Sequence, residues 1–191
     1  MKKALLPLSL MLALNMNPAT ADDLATFQDD SRKVVKELVG QLGSKVQSEM
    51  MSSGPVGTIS VCKVIAPMAT SEISRKTGQR VTRVSLKVRN PLLGMPDAWE
   101  QTVLMNFEKR LTEKESPANM EFAEVVTEPQ GKYLRYMKAI PTQEVCLKCH
   151  GAPDAIAAPV KEVLNADYPH DKAIGYTLGQ IRGAISIKKP M

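Results

Sequence analysis

The sequence predicts an α+β fold, in which helices come first and a small antiparallel sheet follows with further helices on its flanks. Three patterns carry this expectation. Apolar residues recur at spacings of three and four through the first 50 residues after the leader. The run Gln79 to Arg89 alternates strictly between apolar or small and basic or polar side chains. Two β-prone runs then flank the turn-forming Glu128-Pro129-Gln130-Gly131.

The first helix is predicted from about Leu24 to Met51, because Leu24, Phe27, Val34, Val35, Leu38, Leu42, Val46 and Met50 share a stripe that Asp22 or Asp23 could cap. Such a helix can pack on the domain or pair with a copy of itself. A second is predicted over Gly57 to Thr77, with Ile59, Cys62, Ala66, Ala69 and Ile73 on one face and Pro67 placed to kink or split it. The alternating run Gln79 to Arg89 then reads as a strand with Thr82, Val84, Leu86 and Val88 on one side and Arg83, Ser85, Lys87 and Arg89 on a wet side. Asn90-Pro91 ends it. Pro96-Asp97 opens a helix carrying Trp99, Val103, Leu104, Phe107 and Leu111, of which Trp99 and Phe107 read as core. Phe122 to Thr127 and Tyr133 to Ile140 form the hairpin, Ala152 to Asp167 reads as loop with one short helix, and Gly183 to Lys188 as a last strand.

Between the hairpin and that last strand lies Cys146-Leu147-Lys148-Cys149-His150, a C-x-x-C-H run of the kind that attaches a c-type haem. Two thiols at this spacing can each add to one porphyrin vinyl group, and the adjoining His then presents a ring nitrogen to the iron. The rival chemistries fit less well. A zinc site needs about four ligands, and only Cys62 and His170 remain as soft donors. A thioredoxin-like dithiol belongs at a helix start after an early strand and does not end in His. The late position of the motif also departs from small all-helical electron-transfer cytochromes.

Met1-Lys2-Lys3, the mostly apolar stretch Ala4 to Asn15, and Ala19-Thr20-Ala21 together read as a secretory signal peptide over residues 1–21, leaving a single domain over 22–191. The stretch is too short and too polar, with Pro7, Asn15 and Asn17, for a retained span, and no other segment reads as spanning, so no membrane span is expected after cleavage. Because covalent haem attachment in bacteria takes place outside the cytoplasm, leader and motif agree on a periplasmic address. The chain carries 25 Lys and Arg against 20 Asp and Glu, a formal net charge of +5, with two of the lysines in the leader. That scattered excess, which two haem propionates would largely offset, does not describe a nucleic-acid-binding surface.

Three cysteines, two of them used by the motif, leave Cys62 without a disulfide partner. On an apolar stripe its default reading is a small core residue. An iron held by His150 nevertheless has a sixth position, and spacing alone leaves it open among Cys62, His170 and the eight Met beyond the leader, most of which read as gap-filling.

Several separated segments carry a resemblance. Val61-Cys62-Lys63 with Ala66-Pro67, Arg83 to Pro91, Pro96-Asp97-Ala98-Trp99-Glu100, the C-x-x-C-H motif, and Gly175-Tyr176 with Ile181-Arg182-Gly183-Ala184 together resemble the Tll0287-like c-type haem family over nearly all of residues 22–191. The resemblance implies a PAS-like antiparallel sheet with a long N-terminal helix, one covalent haem c, and iron ligation by His150 and Cys62. A thiolate at Cys62, kept deprotonated by the charge of the iron, would lower the reduction potential relative to Met. Arg83 or Arg89, with Arg182 as a third candidate, could fork onto the haem propionates, against the plain alternative of a solvated strand face. The favoured role is a redox or diatomic-gas sensor that signals to a separate protein, since no output domain is present. A soluble electron carrier is the alternative, and an enzyme ranks last because no acid, base or second His is placed to serve one.

Overall fold

The computed structural model describes residues 21–191, so all of the leader except Ala21 lies outside it. Helix α1 (Ala21–Ser52) is followed by a second helical rod built of α2 (Gly54–Ser60), a π-helical turn (Val61–Ile65) and α3 (Ala66–Thr77). Strand β1 (Arg80–Val84), the short α4 (Pro91–Gly94) and α5 (Ala98–Thr112) lead to the hairpin β2 (Glu121–Glu128) and β3 (Gly131–Pro141). Helices α6 (Glu144–His150) and α7 (Ala158–Asp167) precede β4 (Ile181–Pro190). The strands form one antiparallel sheet in the order β1-β4-β3-β2, which is the α+β architecture expected.

Helix α1 extends for about 48 Å at 1.5 Å per residue. Asp22 and Asp23, expected as caps, lie in its first turn, where carboxylates favour the positive end of the helix dipole. Its first half packs on the sheet and its C-terminal end against α2 and the π-helical turn. Phe27, Ser31, Val35 and Leu38 are buried at spacings of four, four and three, and they meet Val81, Leu134, Tyr136, Ile185 and Ile187 on one sheet face together with Ile73 of α3. The opposite face packs Val84, Met120, Met137 and Ala184 against Val103, Leu104 and Phe107 of α5. A third cluster joins Ile59 of α2 to Val160, Leu164 and Tyr168 of α7.

The strand expected over Gln79 to Arg89 stops at Val84. Ser85 turns the chain there: its Oγ accepts from Lys87 N–H at 3.2 Å and donates to the Arg182 carbonyl at 2.8 Å. Nor does the strand have a wet face, since helices cover both sides of the sheet. Arg83 shares the helix-covered side with Val81, and the charge of Cys62 reaches it. Pro67 does not end the second rod, which stays helical from Gly54 to Thr77. The turn before it widens, with the Ala66 N–H reaching the Val61 carbonyl, which makes room for a ring that would crowd the carbonyl four residues back. The continuous rod Gly54–Thr77 is long and apolar enough to cross a membrane by length and composition, contrary to the expectation of no second such segment. Its buried Ile59, Val61, Ala66 and Ile73 mark it instead as a packing element of this domain.

Glu121 staples α1 to the hairpin. It accepts from Arg32 Nε at 3.0 Å, Tyr136 Oη at 2.8 Å and Gln28 Nε2 at 2.9 Å, and the Arg32 bond leads in holding its carboxyl down to about 2. A carboxylate depressed in the folded state stabilises fully above its unfolded value near 4.5, and that contribution is lost as pH falls toward 2. Glu121→Gln should therefore cost about 1–2 kcal/mol at neutral pH in denaturant unfolding. The gap to wild type should stay constant above about pH 5 and close between pH 4.5 and 2; a gap independent of pH would reject the staple.

Candidate functional site

The motif lies on α6, a single short helix whose geometry the chain fixes at both ends. Before it, Thr142 is pinned to the segment ahead of β4 by Thr142 N–H to the Gln180 carbonyl at 2.7 Å and Gly179 N–H to the Thr142 carbonyl at 2.9 Å. Gln143 then enters extended, with its N–H on Cys146 Sγ at 3.4 Å. After it, Gly151 N–H closes on the Leu147 carbonyl at 3.0 Å, and a Cβ on Gly151 would come within 2.6 Å of that same oxygen. Cys146 and Cys149, three apart, share one side of the helix, and both are half-buried free thiols.

His150 is oriented by the segment Asp171 to Tyr176. Its Nδ1 donates to the Ala173 carbonyl at 2.6 Å, which assigns the tautomer with Nε2 bare. That segment is itself fastened to the motif through Tyr176 N–H on the His150 carbonyl at 2.9 Å and Gly175 N–H on the Gly151 carbonyl at 2.8 Å. The Tyr176 ring stands edge-on to the imidazole with centroids 6.3 Å apart. Burial, then the nearby Arg182 and Arg89, hold the imidazole well below its usual pKa. It is thus a neutral, fixed nitrogen donor.

Cys62 sits on the π-helical turn, half-buried. Its charge acts on Cys149, on Arg83 and on Tyr168, so the chain brings these four groups to one place. Burial pushes the Cys149 thiol up, with Cys62 and Cys146 adding to the shift. The rod that carries Cys62 is tied to α7 by the ion pair of Lys63 with Asp167 and by Ile59 against Val160 and Leu164.

Three arginines converge here with different duties. Arg89, with only 9% of its side chain exposed, gives Nε to Asp171 Oδ2 at 2.9 Å and Nη2 to the Cys149 carbonyl at 2.6 Å, so its fork is spent on the protein. Arg83 and Arg182 are in ion-pair contact with no carboxylate among the described residues, and burial pulls both guanidinium pKa values down. Arg182 Nε lies 3.5 Å from His150 Nε2, and its Nη1 reaches Ser85 Oγ at 3.1 Å. Gly183 makes this placement feasible. With φ at 158° and the Val84 carbonyl 2.3 Å from where a Cβ would stand, it carries the irregular end of β4, where the pairing register shifts beside Ile140 and Pro141.

His170 is exposed, and Met120 and Met137 are fully buried in the α5-side core. Among the described residues no group of three or more His, Cys, Asp and Glu could hold a bare metal ion. The donor set instead suits a haem. Two thiols and an imidazole nitrogen left unprotonated share one helix, the charge of a third thiol reaches one of them, and two partly buried guanidinium groups form no ion pair among the described residues, which leaves them to two propionates. Reading the sequence alone missed Asp171, Ala173 and Tyr168. For Tyr168 and Asp171 the only signal is the polar, Pro-containing stretch Asn165 to Lys172, which says loop and nothing more, and Ala173 just beyond it carries none.

No curated protein matches the chain. A solved structure described as the crystal structure of the cyanobacterial heme-protein Tll0287 resembles it with a TM-score of 0.67 and 23% sequence identity, over 91% of this chain and 98% of that one. That likeness shows the shared fold. The model of the Tll0287-like family matches residues 13–190, almost the whole sequence, and the chain therefore belongs to the Tll0287-like family.

Proposed function

We propose that the chain is a monohaem c-type protein that senses redox state or a diatomic gas, exported to the periplasm by residues 1–21 and acting on a separate signalling protein. The observation that carries this reading is the fixed His150 imidazole, its Nε2 left unprotonated, on the same short helix as the two motif thiols, with the charge of Cys62 felt at Cys149. Cys146 and Cys149 would tether the group, with His150 and Cys62 as its axial ligands. A haem so held supplies a one-electron couple and, wherever a ligand yields, a binding position for a small gas.

The protein's share of the work is positional. Ala173 holds the His150 tautomer, Arg89 holds the motif carbonyl against Asp171, and Arg83 and Arg182 offer the charge that the propionates need. Cys62 lies on a turn whose hydrogen bonds are already widened, so the rod can shift there at lower cost than in a regular helix. Movement at that turn passes through Lys63 and Asp167 to α7, which gives a change at the iron a route to the surface. An outer-sphere electron carrier is the second reading, favoured by protein donors on both sides of the site.

Optical and EPR spectra of both oxidation states should show a thiolate signature that disappears in Cys62→Ala while covalent haem is retained; an unchanged spectrum rejects Cys62 as ligand. Carbon monoxide or nitric oxide binding to the reduced wild type supports sensing, and binding of neither supports the carrier.

Arg83→Gln and Arg182→Gln should each lower the midpoint potential by about 50 mV, because removing a nearby cation favours the oxidised iron. Arg89→Gln should instead reduce haem retention, measured as the ratio of Soret to protein absorbance, by loosening the Cys149 carbonyl. Unchanged potentials in both of the first two variants would refute the propionate assignment.

A further inference from the structure

A cavity of about 270 Å³ lies on the α5 side of the sheet, bounded by the turn after β1, the middle of α5 and the start of β4. It is separate from the Cys62 side and shares one wall with the motif, the ring of Tyr176. Two charged groups face this space without forming an ion pair. Glu108 is half-buried and makes no hydrogen bond or ion pair with any described residue, and burial raises its carboxyl pKa against the pull of Lys87. Lys87 Nζ has no carboxylate within ion-pair distance among the described residues. It rests 4.9 Å above the Tyr176 ring and makes one long bond, 3.4 Å, to the Ile174 carbonyl.

The rest of the lining completes a recognisable donor and acceptor set. Gln180 spends its Oε1 on Thr177 N–H at 3.0 Å, which leaves its amide NH₂ to donate. Leu104 and Ile181 supply an aliphatic wall. A carboxylate, an ammonium and an amide donor around an apolar pocket of this size match one small molecule bearing both charges. Its ammonium would meet Glu108, its carboxylate would meet Lys87 and Gln180, and its aliphatic part would lie on the leucine and isoleucine side chains.

We propose that this cavity is an effector site for a small zwitterion of the α-amino-acid class, read out at His150 through the Tyr176 and Ser85 wall. The route is short. Tyr176 lines the cavity, donates its N–H to the His150 carbonyl at 2.9 Å and stands its ring edge-on to the imidazole, and Ser85 beside it in the lining accepts from Arg182 Nη1 at 3.1 Å. Binding itself does not depend on the haem assignment, whereas the readout at His150 rests on it.

Calorimetric titration of the purified chain as isolated tests the site, with L-leucine as probe and isoamylamine and 4-methylpentanoic acid as controls that each keep one charge. L-Leucine should bind at least tenfold more tightly than either control. Glu108→Gln and Lys87→Gln should each weaken it at least tenfold while the melting temperature of the unliganded protein stays unchanged. Absence of heat with L-leucine and with a panel of the other aliphatic amino acids would overturn the site, as would equal binding of isoamylamine or indifference to both substitutions. In the same titration of haem-loaded protein, a Soret shift that saturates with the heat supports the coupling. Saturation without any shift overturns the coupling, and the binding data stand as a separate result.

Discussion

The site depends on one buried guanidinium. Arg89 arrives from the loop after β1, takes the Asp171 carboxylate with one nitrogen and the Cys149 carbonyl with another, and so ties three segments distant in sequence at the place where the motif ends. Asp171 in turn accepts the Ala173 N–H at 2.7 Å through its other oxygen, and the Ala173 carbonyl orients His150. A charge so deep stays only because its partners are geometrically complete. Removing it would strand Asp171 as a buried unpaired carboxylate, a change on the order of 3–5 kcal/mol for such pairs. The tautomer of His150 is therefore secured by a chain of contacts that begins some 60 residues earlier in sequence.

The sheet divides the molecule into two chambers with unequal chemistry. On the α1 and α3 side, Arg83 lies within electrostatic reach of Cys62 and His150; on the α5 side, Lys87, Glu108 and Gln180 surround the cavity. Gly183 governs the boundary. By admitting the Val84 carbonyl where a side chain would stand, it lets Ile181 pack into the α5-side core while its neighbour Arg182 reaches His150. Any side chain at Gly183 would have to push apart the β1 and β4 backbones that separate the two chambers.

Much of this was legible in the sequence, for identifiable reasons. The hairpin about Pro129 and the helix begun by Asp97 depend on local chemistry, a two-residue loop in one and a reciprocal cap between Asp97 and Glu100 in the other, and both occur where the pattern placed them. The C-x-x-C-H motif is local too. The strand read over Gln79 to Arg89 is too long because alternation continues through Ser85 to Arg89 although pairing with β4 stops at Val84 and Ala184, and register with a strand 100 residues later leaves no trace in local periodicity. The division of labour among the arginines was illegible for the same reason. Arg83 and Arg89 look equivalent in the run that contains them, and only Asp171, 82 residues further along than Arg89, distinguishes the engaged guanidinium from the available one.

Cys62 shows what the fold adds beyond proximity. In a regular helix it would be one position on a buried stripe, fixed by i to i−4 bonds before and after it. Here the bond that follows it spans five residues, from Ala66 to Val61, because Pro67 has no N–H to give and its ring needs room. The same proline that breaks the helical ladder thus places the thiol on the one turn of the rod that departs from α-helical geometry, within electrostatic reach of Cys149. Firm anchoring on both sides, by Ile59 in the α7 cluster and Ile73 in the sheet core, confines any adjustment to that turn. A side chain held in this way can move relative to His150 while both ends of its rod stay packed, which one on an uninterrupted helix could do only by disturbing a core.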